Sequence, residues 1–133
     1  MVQVRAATTN DLAYLTDREH LSGSELEAIL RRGRILIAQD SGESRPVGWL
    51  RWGLFWDEVP FMNMLHVAED HRRGGIGHLL VNEWESQCRE AGHAMVMTST
   101  LSNESAQHFY RRMGYRDAGC LLLPDESAGD PLC

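Results

Sequence analysis

The chain has 133 residues, 43% of them hydrophobic and 24% charged, a balance that suits one soluble globular domain. A net charge of -6 disfavours a nucleic-acid binder. All 13 basic residues are arginine, so Schiff-base chemistry on a lysine is excluded. No run of about 18 apolar residues is present, so no transmembrane helix is expected. The start, Met1-Val2-Gln3-Val4-Arg5, lacks the apolar stretch of a signal peptide, and a cytoplasmic location follows by default. Cys88, Cys120 and Cys133 are odd in number and widely spaced, which points to buried or idle thiols rather than a disulfide framework or a zinc site.

Residues 2–7 read as a first strand. Thr8 and Asp11 form a capping-box signature ahead of a helix through Leu12 and Leu15. A second such signature, Ser24 and Glu27, opens a helix carrying Leu26, Ile29 and Leu30, which Gly33 ends. Residues 35–39 form a short apolar strand, and the breaker-rich stretch 40–46 is a turn. Residues 47–55 and 61–67 are strand-like and joined by Trp56-Asp57-Glu58-Val59-Pro60, which predicts an antiparallel hairpin. The second run is apolar on both faces, as in a strand covered on both sides. A helix with the period Ile76, Leu79, Leu80, Trp84, Cys88, Ala91 follows and closes at Gly92. Residues 94–97 read as a buried strand. Ser102 or Asn103 caps a short helix with Ala106, Phe109, Tyr110 and Met113, and residues 115–123 read as a last strand. One domain over residues 1–123 and a polar tail over 124–133 are expected.

Arg72-Arg73-Gly74-Gly75-Ile76-Gly77 joins a strand to a long helix. Glycine lets the backbone turn sharply, so several N–H groups converge at the positive end of a helix dipole. That arrangement binds phosphate oxygens, and the two arginines add charge for more of them. A ligand bearing a pyrophosphate is the expectation. The histidines show no metal-ligand spacing, and no metal is expected.

In this combination of motifs the sequence resembles the GNAT superfamily of acyl-CoA-dependent N-acetyltransferases. The resemblance rests on Leu65-x-Val67, Arg72-x-x-Gly75-x-Gly77, Asn103-x-x-Ala106-x-x-Phe109-Tyr110 and Gly114-Tyr115, in that order. It implies a mixed α/β fold: a twisted, mostly antiparallel sheet with helices on both faces and a central splay that takes acetyl-CoA. It implies that Arg72, Arg73, Gly74, Gly75, Ile76, Gly77 and His78 hold the pyrophosphate. Leu65, His66 and Val67 would run beside the pantetheine arm, pairing with it like an added strand. Asn103, Ala106 and Phe109 would also meet the cofactor. Tyr110 would give a proton to the leaving thiolate, a role a hydroxyl of pKa about 10 can fill at neutral pH. A backbone N–H near Val67 would stabilise the oxyanion. Glu58, Asp57 and His66 are candidates for the base that deprotonates the amine.

The family usually ends on two strands after the Phe-Tyr helix, and residues 125–133 make a poor strand. An open sheet edge invites a partner, so a homodimer is expected. The acceptor is a small-molecule or peptide amine, not nucleic acid or membrane. A non-catalytic acyl-CoA-binding module is the alternative; it needs the glycine turn but not Tyr110. A nucleoside-triphosphate loop is disfavoured, because His78 and Leu79 stand where its lysine and hydroxyl residue would be.

Overall fold

The computed structural model describes residues 1–42, 45–100, 104–122 and 124. Five strands form one sheet in the order β1 (Val2–Ala6), β2 (Ile35–Asp40), β3 (Gly48–Phe55), β4 (Val59–Val67) and β5 (Met97–Thr98). The pairings of β1 with β2, β2 with β3 and β3 with β4 are antiparallel. Four helices complete the mixed α/β fold expected from the sequence: α1 (Leu12–Arg18), α2 (Gly23–Arg31), α3 (Ile76–Glu90) and α4 (Ala106–Arg112). The chain divides into two compact units, Met1–Met97 and Thr98–Cys133. No helix among the described residues is long and apolar enough to cross a membrane.

In the first unit β2 is the centre. Ile35, Leu36, Ile37 and Ala38 are all buried, which requires cover on both faces. Strand alternation sends Ile35 and Ile37, with Trp49, under Leu15 of α1 and Leu26 of α2. Leu36, Ala38 and Leu50 point the other way, toward α3. That helix buries Ile76, Leu80, Trp84 and Cys88 at intervals of four, with Val81 beside them. Leu79 is 44% exposed, so the stripe is narrower than its sequence period suggested. Burying each such side chain contributes about 1.5–3 kcal/mol, and this stripe is what fixes α3 to the sheet.

Gly48 marks the closest approach of β3 and β4. A Cβ built there would lie 2.8 Å from the His66 carbonyl oxygen, too near for any side chain. At the other end of the hairpin the chain reverses within Trp56 and Asp57, both at positive φ (55° and 62°), and the Glu58 N–H donates to the Phe55 carbonyl at 3.1 Å. The expected five-residue loop is therefore a tight turn, with Val59 and Pro60 already in β4. One residue of β4 is extra: Arg51 pairs with Met64 and Trp52 with Met62, so Asn63 has no opposite number and forms a β-bulge.

Several expectations are corrected. The N-cap of α2 is Ser22, whose Oγ accepts from the Glu25 N–H at 3.3 Å; Ser22 and Glu25 have the same spacing as Ser24 and Glu27, and the earlier pair is the one used. In β4 only Pro60 and Met62 are buried, because its outer neighbour β5 is two residues long and leaves most of β4 close to an edge. The strand expected over residues 94–97 shrinks to Met97–Thr98, and Met95 is exposed.

In the second unit α4 ends in a left-handed Gly114 (φ 96°), and the Tyr115 N–H returns to the Tyr110 carbonyl at 3.0 Å. Tyr110 packs edge-on against Phe109 and beside Tyr115, with ring centroids 5.2 and 5.7 Å away. Residues 115–122 form no strand, and Leu121 and Leu122 are exposed, so the expected last strand is not made there. Cys120 is disulfide-bonded, contrary to its reading as an idle thiol, whereas Cys88 is a buried free thiol. Burial pushes the Cys88 thiol up to about 11, with Glu85 adding to the effect, so it is unreactive.

Candidate active site

The strand–turn–helix segment is built as its glycines suggest. After β4 the chain makes a short helical turn over Glu69–His71, then Arg73 and Gly75 both adopt left-handed backbone, at φ 71° and 82°. Gly75 is the N-cap of α3, and its carbonyl accepts the first helical bond, from the Leu79 N–H at 3.0 Å. The N–H groups at the head of a helix have no intrahelical acceptor. Left-handed residues just ahead curl the chain so that neighbouring N–H groups share one concavity, which favours an anion. Arg72 and Arg73 are exposed there. The Arg72 Nε donates to the Val67 carbonyl at 3.0 Å, tying the turn to the end of β4.

That bond also reports how the strand edge is oriented. In an antiparallel pair, alternate residues turn their backbone groups to the partner. The Ala68 N–H donates to the Val47 carbonyl at 2.8 Å, across the hairpin. By alternation His66 faces Trp49 of β3, while Leu65 and Val67 direct their N–H and carbonyl groups away from β3. Of the three residues expected along the cofactor arm, two therefore offer outward backbone and the third offers a side chain.

The His66 ring lies 4.7 Å from that of Trp49, tilted by 34°. Burial lowers its pKa, the positive fields of Arg72 and Arg18 lower it further, and Glu19 opposes them. The imidazole is thus neutral at pH 7 and able to accept a proton. Beneath it is a network that the sequence reading missed. Glu19, at the end of α1, is wholly buried; its carboxylate takes Arg51 Nε at 2.8 Å, an Arg51 Nη at 3.2 Å and the Trp49 indole N–H at 3.0 Å. Tyr14 meets Trp49 edge-on, and the Arg18 guanidinium lies 4.0 Å over the Tyr14 ring. One signal was available: Arg51 shares a face with Trp49 in an otherwise apolar strand, and an inward charge demands a buried partner.

The other expected site residues are spread out. Glu58 is exposed in the hairpin turn, eight residues along from His66, or about 26 Å of strand. The two cannot serve one reacting amine. Asp57 lines a groove of about 410 Å³ with Ile29, Arg32, Arg34, Trp52, Gly53, Leu54 and Asn63. Gly77 and His78 lie in the first turn of α3. In the second unit, burial raises the Tyr110 pKa, a hydrogen bond with Thr98 opposes the shift and Glu104 adds to it, so the hydroxyl keeps its proton. Ala106 and Phe109 share α4 with Tyr110. Asn103 lies outside the described residues.

Comparison with known proteins supplies the family. Residues 6–115 match the acetyltransferase (GNAT) family. No curated protein matches. Among solved structures, Ard1 from Thermoplasma volcanium superposes with a TM-score of 0.79 at 18% identity, over 98% of this chain and 93% of that one. The ribosomal-protein-S18-alanine N-acetyltransferase from Escherichia coli gives 0.75 at 18% identity, over 99% and 89%. AAC(6')-Iy, solved with the bisubstrate analogue CoA-S-monomethyl-acetylneamine, gives 0.77 at 15% identity, over 95% and 98%. At these identities the superpositions establish the fold, and the match over residues 6–115 establishes the lineage: the chain belongs to the acetyltransferase (GNAT) family, whose enzymes use acetyl-CoA.

Proposed function

We propose that the protein transfers an acetyl group from acetyl-CoA to a primary amine by direct attack, with both substrates bound together. The observation that carries this reading is the run from Leu65 to Gly77: outward backbone on β4, then a turn with two left-handed residues feeding the head of α3. When bound, acetyl-CoA supplies an acetyl group activated as a thioester. The N–H groups of Gly74, Gly75, Ile76 and Gly77, with Arg72, Arg73 and the first turn through His78, hold its pyrophosphate. Leu65 and Val67 pair by backbone with its extended arm. The outward N–H of Val67 suits negative charge developing on a carbonyl oxygen. His66 takes the amine proton, in preference to Glu58 at the far end of the strand. Tyr110 holds a proton for the leaving group. Asn103, Ala106 and Phe109 enter as cofactor contacts through the family resemblance alone.

The test is the unfolding temperature with and without acetyl-CoA. A ligand at about 100 times its dissociation constant stabilises by about 2.7 kcal/mol, several degrees for a domain of this size. A shift that vanishes in the Arg72→Ala/Arg73→Ala double variant supports the reading; no shift at millimolar acetyl-CoA overturns it. Tyr110→Phe then leaves that shift intact and lowers turnover by about 100-fold or more. Unchanged turnover would remove the tyrosine from the mechanism.

A further inference from the structure

The Trp49 indole stands between a buried ion pair and the His66 imidazole. Trp49 and His66 are directly opposite each other across β3 and β4, so their side chains leave the sheet on the same face, and their rings meet at 4.7 Å. Trp49 is buried, and its single polar side-chain atom, the indole N–H, donates to a Glu19 carboxylate oxygen at 3.0 Å. Turning the indole over would take that N–H away from its acceptor in a site closed to water. The bond therefore selects one orientation of the ring.

Glu19 is itself held through backbone and side chain. Its N–H donates to the Leu15 carbonyl at 2.7 Å, at the end of α1. Its carboxylate takes Arg51 Nε at 2.8 Å and an Arg51 Nη at 3.2 Å. Arg51 lies two residues beyond Trp49 on β3 and shares its face, so one strand supplies both the ring and the clamp. A buried ion pair is no general gain in stability, since apolar residues of similar volume often serve as well. What such residues would not supply is an acceptor for the indole N–H. A base needs that kind of precision, because its nitrogen must stand within hydrogen-bond reach of the proton it takes.

We propose that Glu19 is a positioning residue for the transfer site: by accepting from the Trp49 indole it fixes the ring against which His66 packs, and so sets the plane of the imidazole. The inference rests on His66 as base in the proposed acetyl transfer.

Two paired variants differ in the acceptor alone. Glu19→Gln/Arg51→Met removes both charges but keeps a side-chain carbonyl for the indole. Glu19→Leu/Arg51→Met removes the acceptor as well. Each is measured with and without acetyl-CoA by proton–carbon NMR of the imidazoles, the His66 signal being identified by its loss in His66→Gln. In the parent the indole ring current sets that signal apart from the other histidines. The Gln variant keeps the separation and the Leu variant loses most of it, while both unfold at similar denaturant concentrations and keep the stabilisation by acetyl-CoA. A purely structural role for Glu19 would leave the two variants alike, and that result overturns the proposal. The parent alone gives a second check that needs no variant of the ion pair. Its Trp49 indole N–H, identified by its loss in Trp49→Phe, exchanges slowly with water; fast exchange also overturns the proposal. If acetyl-CoA does not stabilise the parent, the acetyltransferase reading has failed instead, and the His66 signals still decide whether Glu19 sets the imidazole.

Discussion

Under α3 the sheet presents Leu36, Leu50 and Met62 to Leu80, Val81 and Trp84, and among the described residues the buried side-chain polar atoms without a partner are the indole nitrogens of Trp52 and Trp84. Under α1 and α2 the same sheet seals Glu19 against Arg51 and Trp49, with His66 and Tyr14 at the border of the cluster. One face is held by area removed from water, which is indifferent to direction. The other contains charges that are stable only in one arrangement, since each must keep its partner. The apolar face therefore anchors the helix whose head forms the glycine turn. The charged face fixes the orientation of the side chains beside His66.

The largest expected effect breaks the charged face. Arg51→Ala strands the Glu19 carboxylate in the interior and should cost about 3–5 kcal/mol, read as a lower denaturant midpoint. A Glu19→Leu/Arg51→Met pair should recover most of that loss, because it removes both charges and restores volume. If Arg51→Ala costs no more than an ordinary surface change, the two faces are not different in kind. On the apolar face, Leu80→Ala should cost about 2–5 kcal/mol, and no second substitution of charge should rescue it.

A smaller effect is expected at the turn fed by the apolar face. A Cβ at Gly75 would meet nothing within 4 Å, so Gly75→Ala tests conformation alone. The left-handed backbone at φ 82° should then cost about 1–2 kcal/mol, seen in thermal melts without ligand. The smallest effect sharpens the comparison through pH. Since burial and then Arg72 and Arg18 disfavour imidazolium at His66, the acid limb of kcat/KM should fall below the ordinary histidine value of about 6.5. Arg18→Gln removes one positive charge and should move the limb upward. A limb that stays put on that change, and on His66→Gln, would belong to another group.

Much of the first unit was legible because its signals are local. The hairpin, the glycine turn and the apolar stripe of α3 each declare themselves within a few residues, through turn chemistry or period. The Glu19–Arg51 pair did not, since its members stand 32 residues apart and neither has a distinctive neighbourhood. The groove was hidden for the same reason: Arg32 and Arg34 follow α2, while Trp52 and Asn63 belong to the hairpin. The bulge at Asn63 depends on the register of two strands, which a single strand does not contain. Residues 115–122 mislead in the opposite sense. Tyr115 and the leucines look like a strand by propensity, yet the segment remains open, because strand propensity expresses packing on neighbours rather than an intrinsic backbone preference.

Gly48 has a consequence for how this sequence can vary. The hydrogen atom it carries in place of a side chain is what allows β3 to lie against the His66 carbonyl, beside the strand edge that Leu65 and Val67 present. Every other amino acid would wedge the two strands apart at that point and shift the edge with them. In a survey of all single substitutions selected for activity, position 48 should stand out as an empty column, bordered by positions that accept several replacements.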